Sequence, residues 1–249
     1  MSELLLNGLQ YAGYAIEICL VICLLLRGWW KRYPSFFVYV SAYAFVDALL
    51  RPTVLYSCGW TSRQYMDVYW VTDIVLTLGA FLLICLFFRS ACAQKRDLWS
   101  ILRTMLISVF ILVAFISCFT MSRHYQSLGW RFTLELSQNV YFACLVLNTL
   151  LYILLQYVNC ADESLNLLVC GLGIEFAGSA AGVAFAHLMS GWPGNVALAS
   201  FIAQFCSLGM LLTWLYAVTR NPEKIPVRAL NISYRAVPAF VEAHVRGAR

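Results

Sequence analysis

The chain has 249 residues, 62% of them hydrophobic and only 12% charged, with a formal net charge of +5. Soluble domains carry roughly a quarter of their residues as charges, so composition excludes an ordinary soluble fold. The expected class is all-α: a polytopic membrane protein with a seven-transmembrane-helix bundle over 1–220 and a basic, mostly irregular tail over 221–249.

In chain order, apolar runs lie at 5–26, 35–57, 66–88, 99–121, 133–157, 165–189 and 195–219. Each reaches the length of about 20 residues that spans a hydrocarbon core. The breaks read RGWWKRYP, CGWTSRQ, RSACAQKRD, SRHYQSLGW, NCADES and SGWPGN. All are rich in Gly, Pro, Ser or charge, the punctuation between helices. Short loops predict antiparallel neighbours and leave no room for a soluble domain. Met1 to Asn7 lacks a basic n-region and an A-x-A site, so the first helix is expected to insert itself and remain. Pro222, Pro226 and Pro238 make the tail irregular, with space for a short helix within 237–246.

Basic residues set the orientation. Arg27, Lys31 and Arg32 follow the first span, Arg89, Lys95 and Arg96 follow the third, and Arg220 with five Lys or Arg residues of the tail follows the last. The opposite side has Arg63, Arg123 and Arg131. The positive-inside rule puts the N-terminus outside and the C-terminus in the cytoplasm; only the fifth break, NCADES, lacks a basic residue on the cytoplasmic side. The net charge is accounted for by topology, and no nucleic-acid binding is read from it. Trp29, Trp30, Trp60, Trp99, Trp130 and Trp192 fall at span ends, as an interfacial belt requires.

Polar side chains inside the spans are concentrated on one side. The first span carries Asn7, Gln10, Tyr14 and Glu17 at spacings of 3, 4 and 3, one continuous helix face. In the second, YVSAYAFVDALLRP, Asp47 and Arg51 lie one helical turn apart beneath Tyr39 and Tyr43, with Pro52 next. The third brings Asp67, Tyr69, Trp70, Asp73 and Thr77; the fifth Glu135, Gln138 and Asn139. The sixth brings Glu175, Ser179 and His187; the seventh Ser200, Gln204 and Ser207. Nearly all fall in the outer half or at the midplane, while runs such as LVICLLL and LGAFLLICLFF leave the inner half apolar. This predicts an outward-facing polar cavity above a sealed half, a pattern that argues against a channel.

Charges within a bilayer are expensive unless they pair or line a wet cavity. Arg51 is the one basic side chain deep enough to serve Glu17, Asp47, Asp73 and Glu175. One guanidinium cannot neutralise four carboxylates, so at least one of them is expected to hold a proton at neutral pH. The site residues selected on these grounds are Glu17, Asp47, Arg51, Trp70, Asp73, Glu135, Glu175 and Gln204, with Tyr14, Tyr43, Tyr69 and His187 beside them.

Pro52 removes the N–H bond to residue 48 and predicts a kink toward the outer end of the second span. Gly178 and Gly182 form a G-x-x-x-G step that permits close helix approach, within the bundle or between protomers. The fourth span has no acid within it and reads as peripheral. Ten cysteines show no C-x-x-C pair, and buried thiols act as small hydrophobes. Cys58 and Cys118 fall near one membrane face and are the pair to test for a bridge.

The seventh span has no Lys for a retinal Schiff base, and the third lacks the receptor-type acidic-Arg-Tyr triplet. Three histidines cannot supply paired haem ligands, and no HExxH, P-loop or nucleophile elbow is present. No metal or cofactor is expected. Tyr33-Pro34-Ser35-Phe36-Phe37, Tyr69-Trp70 and Leu134-Glu135 resemble a set of small seven-helix integral membrane proteins of unassigned function common in acidobacterial genomes. The resemblance covers most of the chain. It implies a bacterial inner-membrane location and carries no activity, ligand or catalytic residue.

Together these features favour a receptor-like or sensory bundle that binds a small polar ligand from the outer side. A membrane or cytoplasmic protein partner would be needed to relay any signal. The alternatives are a non-catalytic subunit of a larger membrane complex and a proton-coupled carrier, for which no internal repeat is evident. An intramembrane enzyme is a poorer option still, since no nucleophile–base pair stands out.

Overall fold

The computed structural model describes residues 2–59, 62–92, 96–123, 130–157, 162–188 and 195–220. The tail from 221, with its expected short helix, lies outside them. The described residues form helices α1 (Ser2–Leu26), α2 (Trp29–Arg32), α3 (Pro34–Ala44), α4 (Arg51–Cys58) and α5 (Arg63–Ala91). Then come α6 (Arg96–Arg123), α7 (Trp130–Tyr157), α8 (Glu163–Leu188) and α9 (Asn195–Thr219). A π-helical turn, Phe45–Leu50, joins α3 to α4.

Six segments among the described residues are long and apolar enough to cross a bilayer: 8–26, 34–58, 63–91, 136–157, 163–182 and 198–219. That makes this a multi-pass membrane protein. The described apolar part of α6, Leu102–Phe115, is shorter.

The two faces of α1 explain how the sequence chooses its interior. Glu17, Leu20 and Leu24, spaced 3 and 4, are buried, while Ile18, Ile22 and Leu25 are exposed. Similar exposed apolar stripes run along α5 (Val71, Val75, Leu82, Leu86) and α6 (Ile107, Ile111, Phe115). Lipid is as apolar as leucine, so such a surface carries no penalty in a membrane.

Six spans close into a ring in the order α1, α9, α8, α7, α5 and the α3–α4 segment, which returns to α1. α6 packs outside it, against α7 and α5, in the peripheral place its lack of acids predicted. The closest seam in the ring is α8 on α9. A Cβ added at Gly178 would lie 2.2 Å from Cys206 Cβ. The small-residue step of α8 is therefore used within the bundle.

The half of the ring where α1 ends is densely filled by Phe36, Leu24, Phe87, Phe88, Leu151 and Trp214, all essentially buried. Trp214 anchors it. Its ring meets Phe36 edge-on at 5.0 Å, and its Nε1 donates to Leu168 O at 3.0 Å. At the rim of this half Arg27 donates through Nη1 to the Val218 and Thr219 carbonyls, at 3.1 and 2.5 Å. Those carbonyls have no partner within α9, so the end of the first span caps the last. Gly28, at φ 69°, lets the chain turn from α1 into α2.

Just beyond, Tyr33 ends α2 and bonds the other side of the ring. Its hydroxyl donates to Asp162 Oδ2, which also pairs with Arg32 Nη2 at 3.0 Å. Asp162 in turn accepts from the Ser164 and Leu165 backbone N–H groups at 3.2 and 3.4 Å, capping the start of α8.

Candidate functional site

Toward the end of the bundle where α1 begins, the ring opens around a cavity of about 1240 Å³. Every ring helix contributes a side chain, α6 none. α1 supplies Gln10, Tyr14 and Glu17; the α3–α4 segment Tyr39, Tyr43, Asp47 and Arg51; α5 Tyr65, Tyr69, Asp73 and Thr77. Tyr141 enters from α7, Glu175 from α8, and Ser200, Gln204 and Ser207 from α9. The polar cavity above a sealed half, expected from the distribution of side chains, is therefore present.

The π turn builds its central pair. Pro52 has no N–H to offer Ala48 O, and its ring crowds that carbonyl. The backbone responds one turn earlier than the expected kink: the Arg51 N–H reaches back five residues to Val46 O. The wider turn restarts the helix at Arg51, so Pro52 falls in a first turn, where a missing donor costs little. Such π turns recur at functional positions.

Arg51 is the hub of the polar groups, its side chain only 16% exposed. Nη1 donates to Asp47 Oδ1 at 3.3 Å, Nε donates to Thr72 Oγ1 at 3.2 Å, and Nη2 lies 3.8 Å from Asp73 Oδ1. Its guanidinium also lies over the Tyr69 ring, 4.5 Å from the centroid. Thr72 passes the chain on by donating to Tyr69 O at 2.9 Å, and the Tyr141 hydroxyl reaches Asp73 Oδ1 at 3.5 Å. Arg51 does not reach all four acids, as one guanidinium could not. It pairs with Asp47 one turn back on its own helix and with Asp73 across the α4–α5 seam, and no ion pair joins it to Glu17 or Glu175.

Those two acids enter the cavity from other helices, Glu17 from α1 and Glu175 from α8. Glu17 is 2% exposed, and its Oε2 has no hydrogen-bond partner. Glu175 Oε2 and Gln204 Oε1 are likewise buried without one. Above Glu17 on the same face, Gln10 Nε2 donates to the Tyr14 hydroxyl at 2.5 Å.

Of the residues selected from sequence, Glu17, Asp47, Arg51, Asp73, Glu175, Gln204, Tyr14, Tyr43 and Tyr69 line one cavity. Trp70 does not line it. Its ring stands edge-on to Tyr69 at 5.5 Å, and its Nε1 is buried without a partner. The side chains of Glu135, His187 and Cys118 lie outside the described residues; Cys58 is a free thiol whose Sγ donates to Gln64 Oε1 at 3.3 Å. Tyr39, Tyr65 and Tyr141 belong to the cavity but were not selected. Their signal was spacing: Tyr39 precedes Tyr43 by four, Tyr65 precedes Tyr69 by four, and Tyr141 follows Gln138 by three.

Among the described residues no three His, Cys, Asp or Glu side chains converge closely enough to hold a metal ion. Compared with family models, curated proteins and solved structures, the chain matches none.

Proposed function

We propose that this protein is a receptor-like bundle that binds a small polar ligand in its one-ended cavity and is not an enzyme. The observation that carries this reading is the cavity itself. It combines four carboxylates, one guanidinium and eight tyrosines from five of the ring segments, with Ser200, Gln204 and Ser207 added by α9. Ligand sites characteristically pair apolar or aromatic walls with a few placed polar groups. A ligand touching all six ring helices would bias their packing together, which is what a sensor needs. The apolar packing of the other half favours a receptor over a carrier, since a carrier has to open both ends in turn.

The arrangement we favour is seven spans in a bacterial inner membrane, with the N-terminus and the cavity outside and the basic tail in the cytoplasm. The 28 residues of α6 would extend roughly 42 Å as a helix, ample for a seventh crossing. The Lys and Arg bias supports the orientation. The resemblance to small seven-helix acidobacterial proteins supports the location. The tail is then the natural place for a partner that relays the signal. The G-x-x-x-G step no longer supports the alternative of a subunit in a larger complex, because α9 already occupies it.

The test is a thermal-stability screen of the purified full chain in detergent against a library of small polar metabolites. We expect a compound that stabilises the wild type in a saturable manner and loses its effect in Arg51→Ala or Tyr43→Ala. A screen without any stabilising compound counts against the reading. Reporter fusions at residues 93–95 and 124–129 check the topology.

A further inference from the structure

We infer that the ligand is an organic cation with a primary or secondary ammonium group, anchored by Glu17. This rests on the small-ligand reading above and adds its chemical class.

The inference follows from which polar groups in the cavity are already satisfied. Arg51 is occupied by Asp47, Thr72, Asp73 and the Tyr69 ring, and its one unbonded nitrogen, Nη2, is held 3.8 Å from Asp73. A ligand carboxylate or phosphate would have to break that set to claim it. Elsewhere in the cavity lining the unsatisfied buried atoms are Glu17 Oε2, Glu175 Oε2 and Gln204 Oε1, on α1, α8 and α9. All three are acceptors once the two acids are ionised. Buried acceptors without donors are costly, and a charged one most of all, so the missing element is a group that brings several N–H donors and positive charge.

An ammonium group supplies both. Tyr14 on α1 and Tyr39 and Tyr43 on α3 line the same cavity as Glu17, and aromatic faces attract cations. A quaternary ammonium would satisfy the rings but leave the three oxygens without donors. A bare metal ion needs converging ligands, which the described acids do not provide. Glu17 is the anchor because it is the least solvent-exposed of the four acids and is paired with no cation.

The experiment is calorimetric titration of the full chain in detergent with four probes of similar shape: phenethylamine, its N,N,N-trimethyl analogue, 2-phenylethanol and 3-phenylpropionate. Phenethylamine is expected to bind saturably, the trimethyl analogue at least tenfold more weakly, and the alcohol and carboxylate more weakly still. Glu17→Gln should weaken phenethylamine at least tenfold; should that variant fail to fold, Glu175→Gln carries the same expectation.

Tighter binding of the carboxylate or alcohol than of the amine overturns the cation assignment and leaves the small-ligand reading standing. Equal affinity of the amine for wild type and a folded variant also overturns it. Failure of all four probes, together with an empty metabolite screen, overturns both readings.

Discussion

The guanidinium of Arg51 lies over the ring of Tyr69, 4.5 Å from its centroid, while its nitrogens hold Asp47 on its own helix and Thr72 on the next. Shape and charge are both used, because only a planar cation can stack and donate in several directions at once. Arg51→Lys should therefore behave as a loss even though the charge remains. Arg51→Ala, which strands Asp47 and Asp73 among buried groups, should cost about 3 kcal/mol or more. Thermal unfolding in detergent measures both. A lysine variant as stable as wild type would remove the stacking from the account.

Gly178 sits where α8 and α9 approach most closely, with Cys206 in the space a side chain would need. Gly178→Ala should destabilise the bundle by about 1–3 kcal/mol, the usual range for overpacking. Cys206→Gly in the same chain should recover part of that loss, since it vacates the contested space. Non-additivity in this double-mutant cycle is the quantity to measure.

Tyr33 gives a pH dependence at the far end of the bundle, outside the spans. Burial first, and then the Asp162 carboxylate it bonds, push its hydroxyl well above the ordinary value of 10.0. The folded protein thus holds this proton more tightly than the unfolded chain. Its contribution is complete below about pH 10 and is lost as pH rises above that, toward the folded value. Wild type should lose stability in that alkaline window, and Tyr33→Phe should show a flatter profile there. Unfolding midpoints between pH 8 and 11 would decide it.

Four carboxylates and one guanidinium share the cavity. At least one acid should hold a proton at neutral pH when no ligand is bound. Infrared difference spectra should contain a carboxylic-acid carbonyl band that disappears in one of Glu17→Gln, Asp47→Asn, Asp73→Asn or Glu175→Gln. Absence of such a band would mean that the cavity water stabilises all four charges.

Much of this site could be read along single helices, because helix periodicity is local. Gln10, Tyr14 and Glu17 line one wall as their 3–4 spacing predicts, and the Asp47–Arg51 pair forms at four residues apart. What crosses between helices could not be read. Asp73 and Thr72 meet Arg51 only because α5 lies beside α4, and helix order in a ring leaves no trace in one sequence. Tyr39, Tyr65 and Tyr141 were passed over because a tyrosine in an apolar helix looks the same whether it packs a core or lines a cavity. Pro52 announced a disturbance, but a kink and a π turn begin from the same missing N–H.

That π turn also keeps time along its helix. Residues four apart in an ordinary α-helix drift about 40° around the axis, so three such steps accumulate about 120°. Tyr39, Tyr43, Asp47 and Arg51 are separated by three such steps, yet all four face one cavity. The wider turn at Phe45–Leu50 works as a phase correction, absorbing drift that would otherwise swing one end of the row toward lipid. Restoring the missing N–H, as in Pro52→Ala, would let the turn revert to the ordinary pitch with every residue kept. The helix would still span, but its upper and lower halves would no longer address the same space.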